Sequence, residues 1–473
     1  MRKGLTRRHF LSTVSAAAAG MGTATSCRKS TEKNYPWRGP RGLLAETEVL
    51  IAGGGPAGIG AALGAAMLGA RVFIIEDCGF FGGVGAWGCG MQMNQMRPGG
   101  NPRSNIHELL IEKLLAMGSQ AGRFATGAAF DGPNALLCNV EYLKVAILYA
   151  LEEAGCTYLV HTQAIDALTE QNRVNGIVVA TKQGPMEIRA RVVVDCTGDG
   201  DVSCYAGAET MTETGNLSPM TLCFNTSNVT QEDILAGQQE YSRNLQHAKA
   251  DFPLIHQDVP DLSRVGNSHF YYTNHAGTRD MGQFNAADPF QFSQAECLSR
   301  RQVVQMVEAL RKYGGGGLNK IEIVGAGPRI GVRESRRVKG GYILTEEDAM
   351  NGARFEDAIA WRSGNLDIGF VRVNRMKIHD VPYRALVPES IDGLLVAGRC
   401  ISATHIGASA GKSMGNCIAT GHAAGVAAAL SVKEGLMPRE LPVQKIQDAL
   451  RDGGVDLDFS GRDQEWMERA INS

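Results

Sequence analysis

The 473-residue chain lacks a charge surplus, a paired-cysteine motif and a membrane-spanning apolar run, and each absence narrows its function. Lys and Arg number 47 and Asp and Glu 49, a net charge of −2. A nucleic-acid binder that neutralises phosphates would carry a basic excess instead. The eleven cysteines include no Cys-x-x-Cys; the closest spacings are Cys78/Cys89, Cys196/Cys204 and Cys400/Cys417. That pattern gives no local zinc or iron–sulfur site, so no metal centre is expected, and the density is too low for a disulfide scaffold. The most apolar long segment, residues 409–430, carries Lys412, Asn416 and His422, which exclude a membrane span. What is present in ordinary measure is apolar content, at 44%, enough for a sizeable core. Glycine is in surplus: 58 residues, roughly 12% where about 7% is usual. No collagen-like period accounts for them, so they should mark tight turns and places where backbone approaches a ligand. The length allows about three domains at ~150 residues each.

The N-terminus reads as an address. Thr6-Arg7-Arg8-His9-Phe10-Leu11 resembles the twin-arginine export signal, and a weakly apolar run rich in Ala, Ser and Thr follows it to residue 24. The resemblance implies the twin-arginine export machinery as a partner and a periplasmic or otherwise exported protein. Ala24-Thr25-Ser26-Cys27 makes Cys27 a candidate lipid anchor. Residues 28–44, polar and interrupted by Pro36 and Pro40, read as a linker.

Residues 48–52 are a short apolar run, read as a buried parallel strand. Gly53, Gly55 and Gly58 follow in G-x-G-x-x-G spacing around Pro56 and Ala57, then an Ala- and Gly-rich helix over 59–68, a second apolar strand over 71–75, and Glu76 at its end. Each residue has a physical task. Gly53 permits the turn, Gly55 lets backbone meet a pyrophosphate, and Gly58 lets helix and strand pack closely. The helix N-terminus presents free N–H groups to the phosphates. Glu76, 18 residues past Gly58, stands near the offset at which an acid holds ribose hydroxyls. A second glycine cluster follows, with Gly79, Gly82, Gly83, Gly85, Gly88 and Gly90 interleaved with Phe80, Phe81 and Trp87. A dinucleotide fold for NAD would pass directly to its next strand. A glycine loop here resembles the segment of flavoproteins that passes the ribityl chain and flavin ring.

Downstream, residues 141–154 read as an amphipathic helix, 156–160 as a strand, and 164–168, 173–182 and 186–190 as a meander, with Ala164 placed to meet the cofactor. A buried strand over 191–195 ends in Cys196-Thr197-Gly198-Asp199. Another strand, over 391–397, ends in Gly398-Arg399 and precedes a helix beginning near 409–413. A helix starting beside a flavin ring stabilises negative charge near N1 and O2, which makes Ser413 and Met414 candidates for ring contact.

Taken together, these motifs resemble the FAD-dependent oxidoreductase family, whose FAD domain is related to that of the flavin-binding chain of heterodisulfide reductase and has a glutathione-reductase-type dinucleotide fold. The resemblance runs over about residues 46–432. It rests on the 53–58 turn, Thr197-Gly198-Asp199-Gly200-Asp201, residues 330–337 with Arg333, residues 344–348, and residues 396–405 with His405. It implies noncovalent FAD and a redox reaction on a substrate held above the ring. Relatives often carry an Arg-rich stretch just after the His405 position; here Lys412 stands as a point charge instead. Relatives with Ile-Asp-Ile-His at a strand end have Leu366-Asp367-Ile368-Gly369 as their counterpart here.

The expected architecture is therefore α/β: a Rossmann-like FAD-binding domain, parallel sheet plus β-meander, with an inserted α+β substrate or lid domain. The segments would be an export signal 1–27, a linker 28–44, a first FAD-binding segment 45–209, the lid 210–345, a second FAD-binding segment 346–432 and a helical tail 433–473. His405 is the first candidate for general acid/base work and Arg333 for clamping a carboxylate or sugar hydroxyls; the competing structural roles are a loop-carbonyl bond for His405 and an ion pair with Glu334 or Glu346 for Arg333. His269, Tyr271, Tyr272 and His275 cluster in the lid segment, and Gly314 to Gly317 read as a hinge. The reading is an exported enzyme passing hydride between a small organic substrate and flavin N5, with an electron acceptor that the sequence does not name. The alternative is a FAD-containing electron-transfer or structural subunit of an envelope complex.

Overall fold

Short aliphatic runs with both faces buried assemble the centre of the molecule. The computed structural model describes residues 42–125, 135–213, 215–266, 268–368, 372–373 and 376–458, together with 465 and 468. The expected export signal, Cys27, most of the linker and Gly369 lie outside the described residues. Strand Gly42–Ala52 runs parallel to Val72–Ile75 on one side and to Gly184–Asp195 on the other. Thr157–Leu159 extends the sheet beyond Val72–Ile75, and Arg173–Thr181 and Gln163–Glu170 continue it antiparallel beyond Gly184–Asp195. The meander turns at Gln171 and Asn172, with φ of 47° and 64°, the paired positive values of a tight hairpin. Leu394–Val396, from the far end of the chain, lies parallel to residues 193–195.

Two expected strands, over 186–190 and 191–195, are one. Gly184–Asp195 begins half-buried, alternates in exposure over residues 188–192 and is buried on both faces at its end. The change of pattern arises because the strand leaves the half-exposed meander and enters the parallel core. The first strand likewise begins at Gly42, inside the range read as linker.

Helix Pro56–Met67 has no polar face, and Ala57 to Ala65 are all buried; such a helix must be covered on every side. Its cover is helix Met414–Glu434, which begins at the late end of the range expected for it. The two pack through interleaved glycines. A Cβ on Gly60 would strike the Ile418 carbonyl, and one on Gly64 would lie 2.8 Å from that of His422. Cβ atoms on Gly421 and Gly425 would strike the carbonyls of Ala57 and Ala61. Only side-chain-free positions let backbones approach this closely. Among the described residues no helix is long and apolar enough to cross a membrane.

Between residues 212 and 336 the chain builds a separate apolar cluster. An antiparallel sheet in the order Ser263–Arg264, Tyr271–Gly277, Thr221–Ser227, Glu322–Ala326 shares a core, including Phe224, Tyr241, Met306 and Leu310, with helices Gln231–Asp251 and Pro289–Tyr313. A capping box at Thr230 and the Asp288 side chain ahead of Pro289 start these helices. Thr210–Met211 pairs with Arg337–Val338, so the chain leaves and re-enters the FAD-type fold at one neck. The glycines at 315–317 all adopt positive φ, and Gly315 and Gly317 lie against Glu240 and Asp233 of the neighbouring helix.

Candidate active site

The C-terminal ends of the parallel strands open into one cleft of about 1200 Å³, where ligands of open α/β sheets bind. Gly53, Gly55, Pro56 and Ala57 line it from the first turn, and Glu76 and Gly83 from the second strand and the glycine loop. Ala164 faces it from the meander, Thr197, Gly198 and Asp199 from the next turn, and Gly398, Arg399, Ser413 and Met414 from the C-terminal half. The two glycine turns are close: a Cβ on Gly398 would lie 2.7 Å from that of Ala57. Gly58 and Gly82 sit behind the wall. Gly58 packs against the Gly53 carbonyl, and the Gly82 N–H donates to the Gly54 carbonyl at 2.8 Å.

The cleft has the features an FAD requires. Gly55 caps helix Pro56–Met67 with no side-chain hydrogen bond, and a Cβ there would meet nothing closer than Gly83 Cα at 4.0 Å, so backbone amides face open space. At the other end Ser413 caps helix Met414–Glu434 with a buried hydroxyl that has no partner. The Gly415 N–H is used by the Asn94 carbonyl at 3.0 Å, which leaves the Ser413–Met414 end facing the cleft.

Glu76 is 7% exposed. Its carboxylate accepts from the Gly54 N–H at 2.7 Å and the Cys78 N–H at 2.9 Å. Burial, followed by the neighbouring Asp77, pushes its pKa up to about 7. Burial also opposes ionisation of Asp77, yet hydrogen bonds with Glu76 and Arg329 hold that carboxyl below its ordinary range. Arg329 Nη2 lies 2.7 Å from Asp77 Oδ2, tying the lid to the nucleotide end of the cleft. Because the folded state binds the Glu76 proton more tightly than the unfolded chain, its contribution to stability is present at low pH and lost as pH rises through about 7. A ribose hydroxyl donating to this carboxylate favours the ionised form, so FAD binding should release a proton. Affinity for FAD is expected to rise from about pH 6 to about pH 8, by up to tenfold per pH unit on the acid side, and E76Q should flatten the profile; fluorescence titration of FAD measures both.

Asp195, which motif reading passed over, organises the second turn. It is fully buried and accepts four hydrogen bonds: Thr197 N–H at 3.1 Å, Thr197 Oγ1 at 2.7 Å, Ser203 N–H at 2.8 Å and Ser203 Oγ at 2.7 Å. Thr197 Oγ1 in turn accepts from the Asp201 N–H at 2.9 Å. Gly198 then adopts φ +82° beneath the Arg399 guanidinium, a left-handed conformation and a contact that both exclude a side chain. Arg399 pairs with Asp199 at 3.0 Å. Ser335 also donates to the Asp199 carboxylate, while Arg336 donates to the Asp199 carbonyl at 3.0 Å and pairs with Asp201. Three separate sequence motifs thus form one charged network.

Arg333 lines the cleft. His405 does not. It lies behind the wall in a void of about 10 Å³, shared with Arg333, Arg399, Ser409 and Lys412, all four of which also line the cleft. His405 Nδ1 is 2.7 Å from Glu334 Oε1 and its Nε2 is buried without a partner, so a carboxylate, rather than a loop carbonyl, orients the ring. Burial works against ionisation of Glu334, but His405, the Ser218 N–H and Arg337 hold its pKa below the ordinary value. In the lid, Tyr272 and His275 reach the cleft, Tyr271 is buried in the lid core and His269 is exposed. His275 Nε2 lies 2.7 Å from Asp258, another cleft residue.

Comparison with known proteins places this arrangement. The family model described as FAD dependent oxidoreductase matches residues 48–450. The chain is similar to the thiamine thiazole synthase of Aeropyrum pernix, 31% identical over 186 residues, which covers 37% of this chain and 63% of that protein. It is 28% identical to that of Methanococcus vannielii over 164 residues, covering 33% and 57%. The chain therefore spans less than two thirds of the length of these curated relatives. Among solved structures, a geranylgeranyl bacteriochlorophyll reductase-like protein of Thermoplasma acidophilum matches with TM-score 0.45 at 14% identity, over 86% of this chain and 83% of that one. The p-nitrophenol 4-monooxygenase of Pseudomonas putida matches with TM-score 0.45 at 11% identity, over 86% and 84%.

Proposed function

The chain belongs to the FAD-dependent oxidoreductase family and is an FAD enzyme; from that premise we propose that it passes hydride between a small organic substrate and flavin N5. The observation that carries the proposal is the convergence of Gly55 and Gly398 on one cleft whose opposite wall is made by the lid. FAD, when bound, supplies the hydride chemistry. The residues of the two glycine turns would hold it, with Glu76 toward the ribose and Ser413 and Met414 toward the ring. Arg333, near the neck of the lid, would grip a carboxylate or hydroxyl of the substrate. His405, held in one orientation by Glu334 behind the cleft wall, would relay the accompanying proton from Nε2 through a water in the small void it shares with the cleft residues Arg333 and Lys412.

Anaerobic titration of the FAD-loaded protein with sugars, organic acids and aromatic compounds tests this reading. Bleaching of the flavin bands by one chemical class is the expected result. Retention of FAD with no bleaching by any class would favour an electron-transfer subunit. We further propose, from Arg7 and Arg8 in their signal-like setting, that the protein is exported through the twin-arginine machinery, with Cys27 as a candidate lipid attachment. Fractionation of cells carrying R7K and R8K together should then find the protein retained inside.

A further inference from the structure

Two guanidinium groups lie inside the protein with no carboxylate beside them. Arg103 is 3% exposed and Arg362 1%, and among the described residues neither forms an ion pair. Arg103 donates to the Gln95 carbonyl at 3.1 Å, to Asn416 Oδ1 at 2.8 Å and to the Trp361 carbonyl. Its guanidinium also lies 4.4 Å from the Trp361 ring. Among the described residues Arg362 reaches the Gly407 carbonyl, at 3.4 Å, and its Nε is buried without a partner. Gly411 lies directly on that guanidinium, between Ala410 and Lys412, both of which line the cleft. The cations therefore stand immediately behind the wall that leads into helix Met414–Glu434.

The groups around them do not compensate. His107 and His379 are kept neutral by burial, and the Arg103 and Arg362 charges push them further the same way. Cys417, in the first turn of the helix, is held as a thiol, its pKa raised to about 11 by burial. The N-terminus of helix Met414–Glu434 carries the same sign. Burial lowers Arg103 to about 9 and Arg362 to about 10, so both remain charged near neutral pH. An unpaired buried charge is costly unless something offsets it. A negative charge at this end of the cleft would offset them.

We propose that Arg103 and Arg362 raise the reduction potential of the bound FAD by stabilising the negative charge its ring gains on two-electron reduction. This rests on the reading that the ring lies toward Ser413 and Met414. The test is the midpoint potential of the FAD-loaded protein, equilibrated with a redox dye, together with its affinity for sulfite, which adds reversibly to flavin and leaves negative charge on the ring. R362Q should shift the oxidised-to-reduced equilibrium at least tenfold toward the oxidised form, about 30 mV for two electrons, and weaken sulfite binding at least tenfold. R362K should retain both values. If R362Q does not fold, R103Q supplies the same comparison. FAD retained with both values unchanged in these variants overturns the proposal. So does an unchanged potential alongside a flavin spectrum that responds to oxalate in the wild type but not in R362Q, which would assign the cations to an anionic substrate. Failure of the wild-type chain to take up FAD would instead strike at the cofactor assignment itself.

Discussion

Gly58→Ala is expected to yield a less stable protein that binds FAD poorly, whereas Gly55→Ala, three residues away, should fold normally and lose FAD. The two glycines serve one turn for different reasons. A Cβ on Gly58 would overlap the carbonyl oxygen of Gly53, which is backbone and cannot rotate aside. The helix would have to lift from the strand, and overpacking of this kind costs about 1–3 kcal/mol or more. The same displacement would spoil the row of amides at the helix start. Gly55 has φ −73°, which alanine adopts freely, and its Cβ would meet no atom of the chain nearer than 4.0 Å. The methyl group would instead occupy the space the pyrophosphate needs. A loss of at least about tenfold in affinity, or ~1.4 kcal/mol, is expected with an unchanged apo-protein melting temperature. Thermal unfolding with and without FAD separates the two variants. If G55A binds FAD like the wild type, the pyrophosphate does not lie on this turn.

The second large effect concerns His405. Its Nδ1 is committed to Glu334 at 2.7 Å, while Nε2 is buried with no partner in a void of about 10 Å³, room for about one water. An imidazole fixed by a carboxylate at one nitrogen, with room for a single water at the other, is arranged to relay a proton through that water to the cleft residues that share the void. His405→Ala should slow substrate-driven flavin reduction by ~10²–10⁴-fold while leaving the oxidised flavin spectrum and dithionite reduction intact. A structural role would give a different result: a lower melting temperature with a rate near wild type. Glu334→Gln, which keeps the shape but removes the charge, should give a smaller loss with an altered pH profile.

Much of the fold was legible because local chemistry and tertiary position agreed. The aliphatic runs at 49–52 and 72–75 are buried on both faces, and the glycine spacing between them permits only a few turns. The continuous strand Gly184–Asp195 was less legible, since its periodicity changes partway when its neighbours change. The site residues that motif reading missed share one property: their partners are distant in sequence. Asp195 carried a local signal, a carboxylate closing an aliphatic run with Thr197 and Ser203 just beyond. Glu334 meets His405 across 71 residues, and Arg103 meets Asn416 across 313. Arg103 stands in a Pro- and Gly-rich stretch that looks like solvated loop, and its charge is buried by distant segments, Trp361 and Asn416, that pack on it.

The interleaved glycines of Pro56–Met67 and Met414–Glu434 bear on how the protein is made. A ribosome releases the first of these helices about 350 residues before the second. Until the later helix emerges, the earlier one is covered only on its sheet side and the nascent chain has half a nucleotide cleft. A cleft with both its walls exists only once the later helix has been made. A chain translocated in its folded state would carry its flavin across as cargo.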